Sequence, residues 1–275
     1  MRLEFGPRLR RARLTTIGVA AAALMAVSQT SLAQRFERPA LDVPYVPTSP
    51  DVVDRMLDAA GLTTDDFVID LGSGDGRIAI AAAKRGALAL GVDIDPQRVQ
   101  EAQENAKRAG LQDKVTFVRQ NLFETKLSDA TVVTMYLLTK VNLDLRPRIL
   151  SELKPGTRVV SHAFQMGDWQ PDAHSEVGNR EVFMWIVPAR AAGRWRVATD
   201  AETLHLDLKQ DYQYLTGRAH IGGLSIELRR GWLHGHDMKL ILEDGRELEG
   251  RVEGDGMRLA FSSSKGSLWR GVRVP

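Results

Sequence analysis

Val68-Ile69-Asp70-Leu71-Gly72-Ser73-Gly74-Asp75-Gly76-Arg77 leaves the chain around it few options. Phe67 to Ile69 is an apolar run that reads as the end of a buried strand, closed by Asp70. Gly72, Gly74 and Gly76 then alternate through a loop, and the alanine-rich stretch Ile78 to Lys84 has the composition of a helix. Strand, glycine loop and helix in that order bring backbone N–H groups and a helix N-terminus close to a ligand. A side chain at any of the three glycines would block the approach, and glycine also permits positive φ. The spacing narrows the ligand. A dinucleotide loop reads G-x-G-x-x-G/A and needs a small last residue for helix–strand packing. Here the sixth position is Arg77, a long cation. Taken alone, the loop also fits a tight βα turn with no ligand.

A second acid strengthens the ligand reading. Ala87-Leu88-Ala89-Leu90-Gly91-Val92 is apolar and ends at Asp93. A strand that ends in an acid about 20 residues after a glycine loop sets a carboxylate over a ribose diol. Two hydroxyls donate to two carboxylate oxygens, so the position calls for Asp or Glu. Asp95, followed by Pro96, reads as the N-cap of the next helix.

Asp70-Leu71-Gly72-Ser73-Gly74-Asp75-Gly76 resembles the first motif of the class I, seven-β-strand S-adenosylmethionine (SAM) methyltransferases, and Gly91-Val92-Asp93-Ile94-Asp95-Pro96 resembles their second. Residues 44–172 are similar to a bacterial group of these enzymes. More distantly they resemble the mitochondrial seven-β-strand lysine methyltransferases, which share Asp-Leu-Gly-Ser-Gly-Asp-Gly-Arg. The resemblance implies SAM as cofactor. It assigns the ribose to Asp93, with Ile94 beside it, and the amino-acid end of SAM to Asp70 and the loop of Gly72, Gly74 and Gly76. Asn121 and Leu122 take the adenine. The family pattern has an acid at position 121; the asparagine oxygen can accept the same bond without the charge. Thr48 becomes a candidate for the methionine end, with a helix cap or turn as its other reading.

Thr131 to Tyr136 reads as the fourth strand, where the reaction sits in this fold class, and Arg158 to Ala163 as the fifth. Tyr136 and His162 are the candidate catalytic residues, each with a structural alternative, as a core-edge tyrosine and a hydrogen-bonded strand-end histidine. Asp168 and Trp169 are weaker candidates for substrate contact. The stretch Val133 to Leu138 carries no Asn-Pro-Pro-aromatic motif, which argues against methylation of a flipped base's amino group. The sequence has no cysteine, which excludes cytosine C5 attack, a thiol nucleophile and cysteine-ligated zinc. No metal set is expected. His220, His234 and His236 lack a matched carboxylate cluster, and His234 and His236 are placed in a strand around Gly235.

Both ends of the chain differ from its middle. Residues 1–33 read as a signal peptide or membrane anchor: a basic stretch with Arg8, Arg10, Arg11 and Arg13, an apolar run from Leu14 to Val27, then Ser31-Leu32-Ala33. That places the protein in the periplasm or at a membrane, although SAM is made in the cytoplasm. A misassigned start would leave it cytoplasmic. The segment holds five arginines and one glutamate; without them the 37 basic and 35 acidic residues become 32 and 34, a net of −2. The body therefore lacks the basic excess of a nucleic-acid binder. Residues 34–49 read as an extended arm, entering a helix at Pro50-Asp51. From Gly193 short alternating runs are separated by Asp-Gly and Gly-Asp-Gly turns, the pattern of a small antiparallel sheet or barrel over 193–275.

The fold expected is α/β: a Rossmann-like, doubly wound seven-stranded sheet over 50–192, followed by a small antiparallel β domain. Glu181 to Val187 and Trp195 to Ala198 are expected to complete the sheet. The function expected is SAM-dependent methyl transfer to a protein lysine, the acceptor resting on overall similarity alone. A non-catalytic SAM-fold interaction protein and a small-molecule methyltransferase are the alternatives.

Overall fold

A computed structural model describes residues 44–199, 202–262 and 268–275; the leader and most of the arm read from the sequence lie outside them. The first layer is a seven-stranded sheet: β1 (Phe67–Leu71), β2 (Leu88–Asp93), β3 (Val115–Arg119), β4 (Val132–Met135), β5 (Arg158–His162), β6 (Ala173–Val177) and β7 (Arg180–Ile186). Their order is β3-β2-β1-β4-β5-β7-β6. β1 to β5 pair in parallel, and β7 runs antiparallel between β5 and β6. The order reverses between β1 and β4, which opens a crevice beyond the carboxyl ends of those strands.

Helices cover both faces. α1 (Pro50–Ala59), α2 (Arg77–Lys84) and α3 (Pro96–Arg108) lie on one face, and α4 (Thr139–Glu152) on the other. α1 buries Val52, Val53, Met56 and Leu57, one stripe at helical spacing. α2 is built largely of alanine because it packs close: Ala79, Ala82 and Ala83 are almost fully buried. On the α4 face Leu145 and Ile149 meet Trp169, Phe183 and Trp185.

The second unit is a closed eight-stranded antiparallel barrel, in the order β10-β11-β12-β13-β14-β15-β8-β9. Its strands are β8 (Gly193–Ala198), β9 (Thr203–Asp211), β10 (Tyr214–Ile221), β11 (Leu224–His234), β12 (Asp237–Leu242), β13 (Glu247–Glu253), β14 (Gly256–Phe261) and β15 (Trp269–Val274). Alternation fills its interior: Leu204, Leu206 and Leu208 from β9 meet Met238, Leu240 and Leu242 from β12. Closure pairs the edges that an open sheet would expose.

The expected α/β class and the small antiparallel unit are both present, with two local corrections. Trp195 to Ala198 does not complete the sheet; it is β8 and pairs with β9 and β15. The sheet is completed by β6, whose mostly exposed residues carry no apolar alternation. His234 and His236 do not share a strand. Gly235 between them has φ +62 and makes the turn from β11 to β12. A Cβ on Gly235 would lie 2.9 Å from Gly156 Cα. This glycine contact, the Ala189 N–H bond to the Gly235 carbonyl at 2.8 Å and the stack of Tyr212 on Trp169 seat the barrel against the sheet.

Candidate active site

A cavity opens at the carboxyl ends of β1, β2 and β4. The glycine loop, Val92 to Asp95, Gln120 to Leu122, Tyr136 and Leu137 form its walls, with residues 44–48 along one side. Of the residues singled out from the sequence, Thr48, Gly72, Gly74, Asp93, Ile94, Asn121, Leu122 and Tyr136 all line it. Asp70, Gly76 and His162 are set behind the wall. Strand alternation turns the buried Asp70 toward β4, where its Oδ1 accepts the Thr134 hydroxyl at 2.7 Å. A Cβ on Gly76 would meet Phe117 and Ala102, so that glycine serves helix packing.

The loop is organised differently from the sequence expectation. Its N–H groups already donate within the protein: Gly72 and Ser73 to the Val92 carbonyl, Gly76 to the Ser73 carbonyl, and Gly74 to Asp93 Oδ2 at 2.9 Å. The loop is folded onto the end of β2, which uses these donors. The first two glycines therefore provide close approach rather than N–H bonds. Gly72 and Gly74 have φ of +73 and +54, and a Cβ on Gly74 would come within 2.5 Å of the Tyr45 ring.

Asp93 is the pivot. Its Oδ2 accepts from Gly74 and its Oδ1 from the Asp95 N–H, also at 2.9 Å. Each carboxylate oxygen keeps a second lone pair for a diol. Asp95 caps α3 through the Gln97 N–H. Asn121 Oδ1 accepts the Phe123 N–H at 3.0 Å and caps the short turn Leu122–Glu124, again with a lone pair to spare.

Two buried oxygens flank the loop with no partner among the described residues, Ser73 Oγ and Asp70 Oδ2. Burial pushes the Asp70 carboxyl up to about 7, against the Thr134 bond that lowers it. A cavity lined by the unpartnered Ser73 hydroxyl, by a loop where a Cβ at Gly74 would strike the Tyr45 ring, and by the spare lone pairs of the Asp93 carboxylate fits a ribose-bearing cofactor.

Beside the cavity stands an aromatic wall. Tyr136 packs on His162 with ring centroids 3.8 Å apart and on Phe164 at 6.0 Å. Ala163, with φ +65, makes the sharp turn that presents Phe164. Buried Asn142 on α4 donates to the Phe164 carbonyl at 3.0 Å, and Ser161 Oγ donates to it at 2.6 Å. This strained position is held from two sides, as positions of this kind at functional sites must be. Tyr45, Arg98, Asn142 and Phe164 carried no sequence signal that singles them out, and Ser73 stood in the glycine motif without a role of its own. Asp168 and Trp169 do not reach the cavity: Asp168 pairs with Arg146 and Tyr212, and Trp169 is core.

His162 is 2 % exposed, and burial, helped by the charge of Arg180, lowers its pKa from 6.5 to about 4. The unfolded chain therefore takes up this proton first as pH falls. The stability that His162 contributes is complete above pH 6.5 and lost as pH falls toward 4, at most about 3 kcal/mol. In His162→Gln, the stability measured by urea unfolding should depend less steeply on pH between 6.5 and 4. An unchanged slope would show that His162 does not titrate there.

Fold and site define a SAM-dependent methyltransferase of class I. Comparisons with known proteins agree. Residues 70–173 match the model of the ANTKMT methyltransferase domain. A protein-lysine N-methyltransferase of Saccharolobus islandicus is 47% identical over 151 residues, which are 53% of this chain and 94% of that protein. An adenine nucleotide translocase lysine N-methyltransferase of Mus musculus is 36% identical over 148 residues, 54% of this chain and 64% of its own. The crystal structure of an RNA methyltransferase from Salinibacter ruber, in complex with S-adenosyl-L-homocysteine, is 50% identical. It covers 53% of this chain and 95% of its own, with a TM-score of 0.52. The chain belongs to the class I methyltransferase family that includes the ANTKMT-like enzymes, and its cofactor is SAM.

Proposed function

We propose that the protein methylates the ε-amino group of a lysine in a protein acceptor. The observation that carries this reading is the uncharged aromatic cluster beside the cofactor cavity, in which Tyr136 lines the cavity and packs on buried His162 and on Phe164. A lysine attacks only as the neutral amine. A wall that removes water lowers the ammonium pKa and favours that form. SAM supplies a methyl group already activated on its sulfonium, so the protein needs to align the acceptor and exclude water. Asp93, Asn121 and the loop hold the cofactor; Tyr136 and Phe164 orient the acceptor. The named activities of the Saccharolobus islandicus and Mus musculus relatives support the lysine, and the name of the Salinibacter ruber structure points to RNA instead. The body's net charge of −2 favours the protein acceptor over RNA.

Incubation of a cell extract with the enzyme and methyl-tritiated SAM tests the choice. Label that survives ribonuclease, is released by protease and hydrolyses to methyl-lysine supports it; label lost to ribonuclease overturns it. Tyr136→Ala should lower kcat by about 10- to 100-fold, with the dissociation constant for SAM within about threefold of wild type. Equal loss of both would place Tyr136 in cofactor binding instead.

From residues 1–33 we further infer export or membrane attachment. Among the described residues no helix is long and apolar enough to cross a membrane. Cell fractionation with an antibody to the C-terminus tests the inference; recovery in the cytosol alone would reject it.

A further inference from the structure

Arg77, the residue that excludes a dinucleotide loop, also reaches across to the segment before α1. Its guanidinium grips the Asp75 carboxylate through Nε, to Oδ1 at 2.9 Å and Oδ2 at 3.2 Å, and through Nη2, to Oδ2 at 2.6 Å. Burial raises the Asp75 carboxyl, but the guanidinium outweighs it and holds the group below its ordinary value. Thus aimed, Nη1 donates to the Thr48 carbonyl at 2.6 Å. The Thr48 hydroxyl meets His162 Nδ1 at 3.1 Å. Three residues earlier, the Tyr45 ring lies over Gly74 and under the Arg98 guanidinium, 4.5 Å from its centroid.

Pro44 to Pro47 are exposed, and only Thr48 is buried. The segment therefore has little apolar burial to hold it, and these few polar and aromatic anchors set its position. All five of its residues line the cofactor cavity. We infer that Arg77, fixed by Asp75, is a positioning residue that holds residues 44–48 as one wall of the SAM site and so couples their ordering to cofactor binding. The inference rests on the SAM site and is independent of the acceptor.

The test uses the full chain and two probes, S-adenosylhomocysteine and 5′-methylthioadenosine, which lacks the amino-acid end. Arg77→Gln should weaken both by about tenfold in calorimetry, since a charge-assisted bond that acts through the segment serves either ligand. In wild type, S-adenosylhomocysteine should slow hydrogen exchange at the amides of Tyr45, Val46 and Thr48, and Arg77→Gln should lose that protection. Arg77→Lys keeps the charge and loses the fork, and should recover only part of either effect. It also serves if the glutamine variant fails to fold. A loss confined to S-adenosylhomocysteine would mean that Arg77 contacts the cofactor carboxylate directly, and would overturn the inference. Unchanged protection in both variants would overturn it too.

Discussion

Asp93→Ala is expected to raise the dissociation constant for SAM by at least about 100-fold. The change removes a carboxylate that does two things at once. It takes away both acceptors available to a ribose diol. It also releases the N–H groups of Gly74 and Asp95, each bound at 2.9 Å, so that the glycine loop loses one of its ties to the end of β2, those of Gly72 and Ser73 to the Val92 carbonyl remaining. Hydrogen bonds to a charged group contribute about 1.5–3 kcal/mol each, and two of them exceed a hundredfold in binding. Asp93→Asn should recover little, because one amide oxygen cannot replace two acceptors and the amide NH2 would face an N–H donor. Calorimetry with SAM on the full chain measures the effect, and circular dichroism checks the fold. Binding within tenfold of wild type in a folded Asp93→Ala protein would remove Asp93 from the site.

The second large effect concerns stability. Asp66, 6 % exposed, accepts from Arg158 Nη2 with both oxygens at 2.8 Å, from the Thr131 hydroxyl at 2.7 Å and from the Thr63 N–H at 2.8 Å. Burial pushes its carboxyl up, but these bonds and the Arg158 charge outweigh it and hold it below its ordinary range. The cluster ties the start of β1 to β4 and β5 at the end of the sheet opposite the cofactor. Asp66→Ala leaves the guanidinium without its acid and should cost about 3–5 kcal/mol in urea unfolding, while SAM affinity of the folded protein stays unchanged. A cost below about 1 kcal/mol would show that the network contributes little. In wild type the Asp66 contribution is complete above its unfolded pKa and lost as pH falls through the lower folded one.

Much of this protein is legible in its sequence because the information is local. Glycine spacing after an apolar run, an acid at the end of the next strand and Asp-Gly turns between alternating runs each depend on neighbours within a few residues. They suffice for the nucleotide-binding half of the sheet, the cofactor and the barrel-like C-terminal unit. β6 escapes such a reading because an exposed edge strand needs no apolar alternation. Trp195 falls in the other sheet because a short apolar run does not say which partner it pairs with. The use of the loop's N–H groups is not legible either. It depends on Val92 and Asp93 returning beside the loop, a contact made only when β1 and β2 pair.

The amino-acid sequence by itself therefore determined the strand–loop–helix unit, the acid at the end of β2 and the alternation that builds the barrel, because steric freedom at glycine and the periodicity of burial act over short stretches. The tertiary structure alone decided which side chains face the cavity. It turned Asp70 and His162 behind the wall, brought Phe164 beside Tyr136 across a strained turn, and joined Arg77 to Thr48 from 29 residues away. Such contacts depend on how strands and helices pack together, and packing direction is a property of the whole fold.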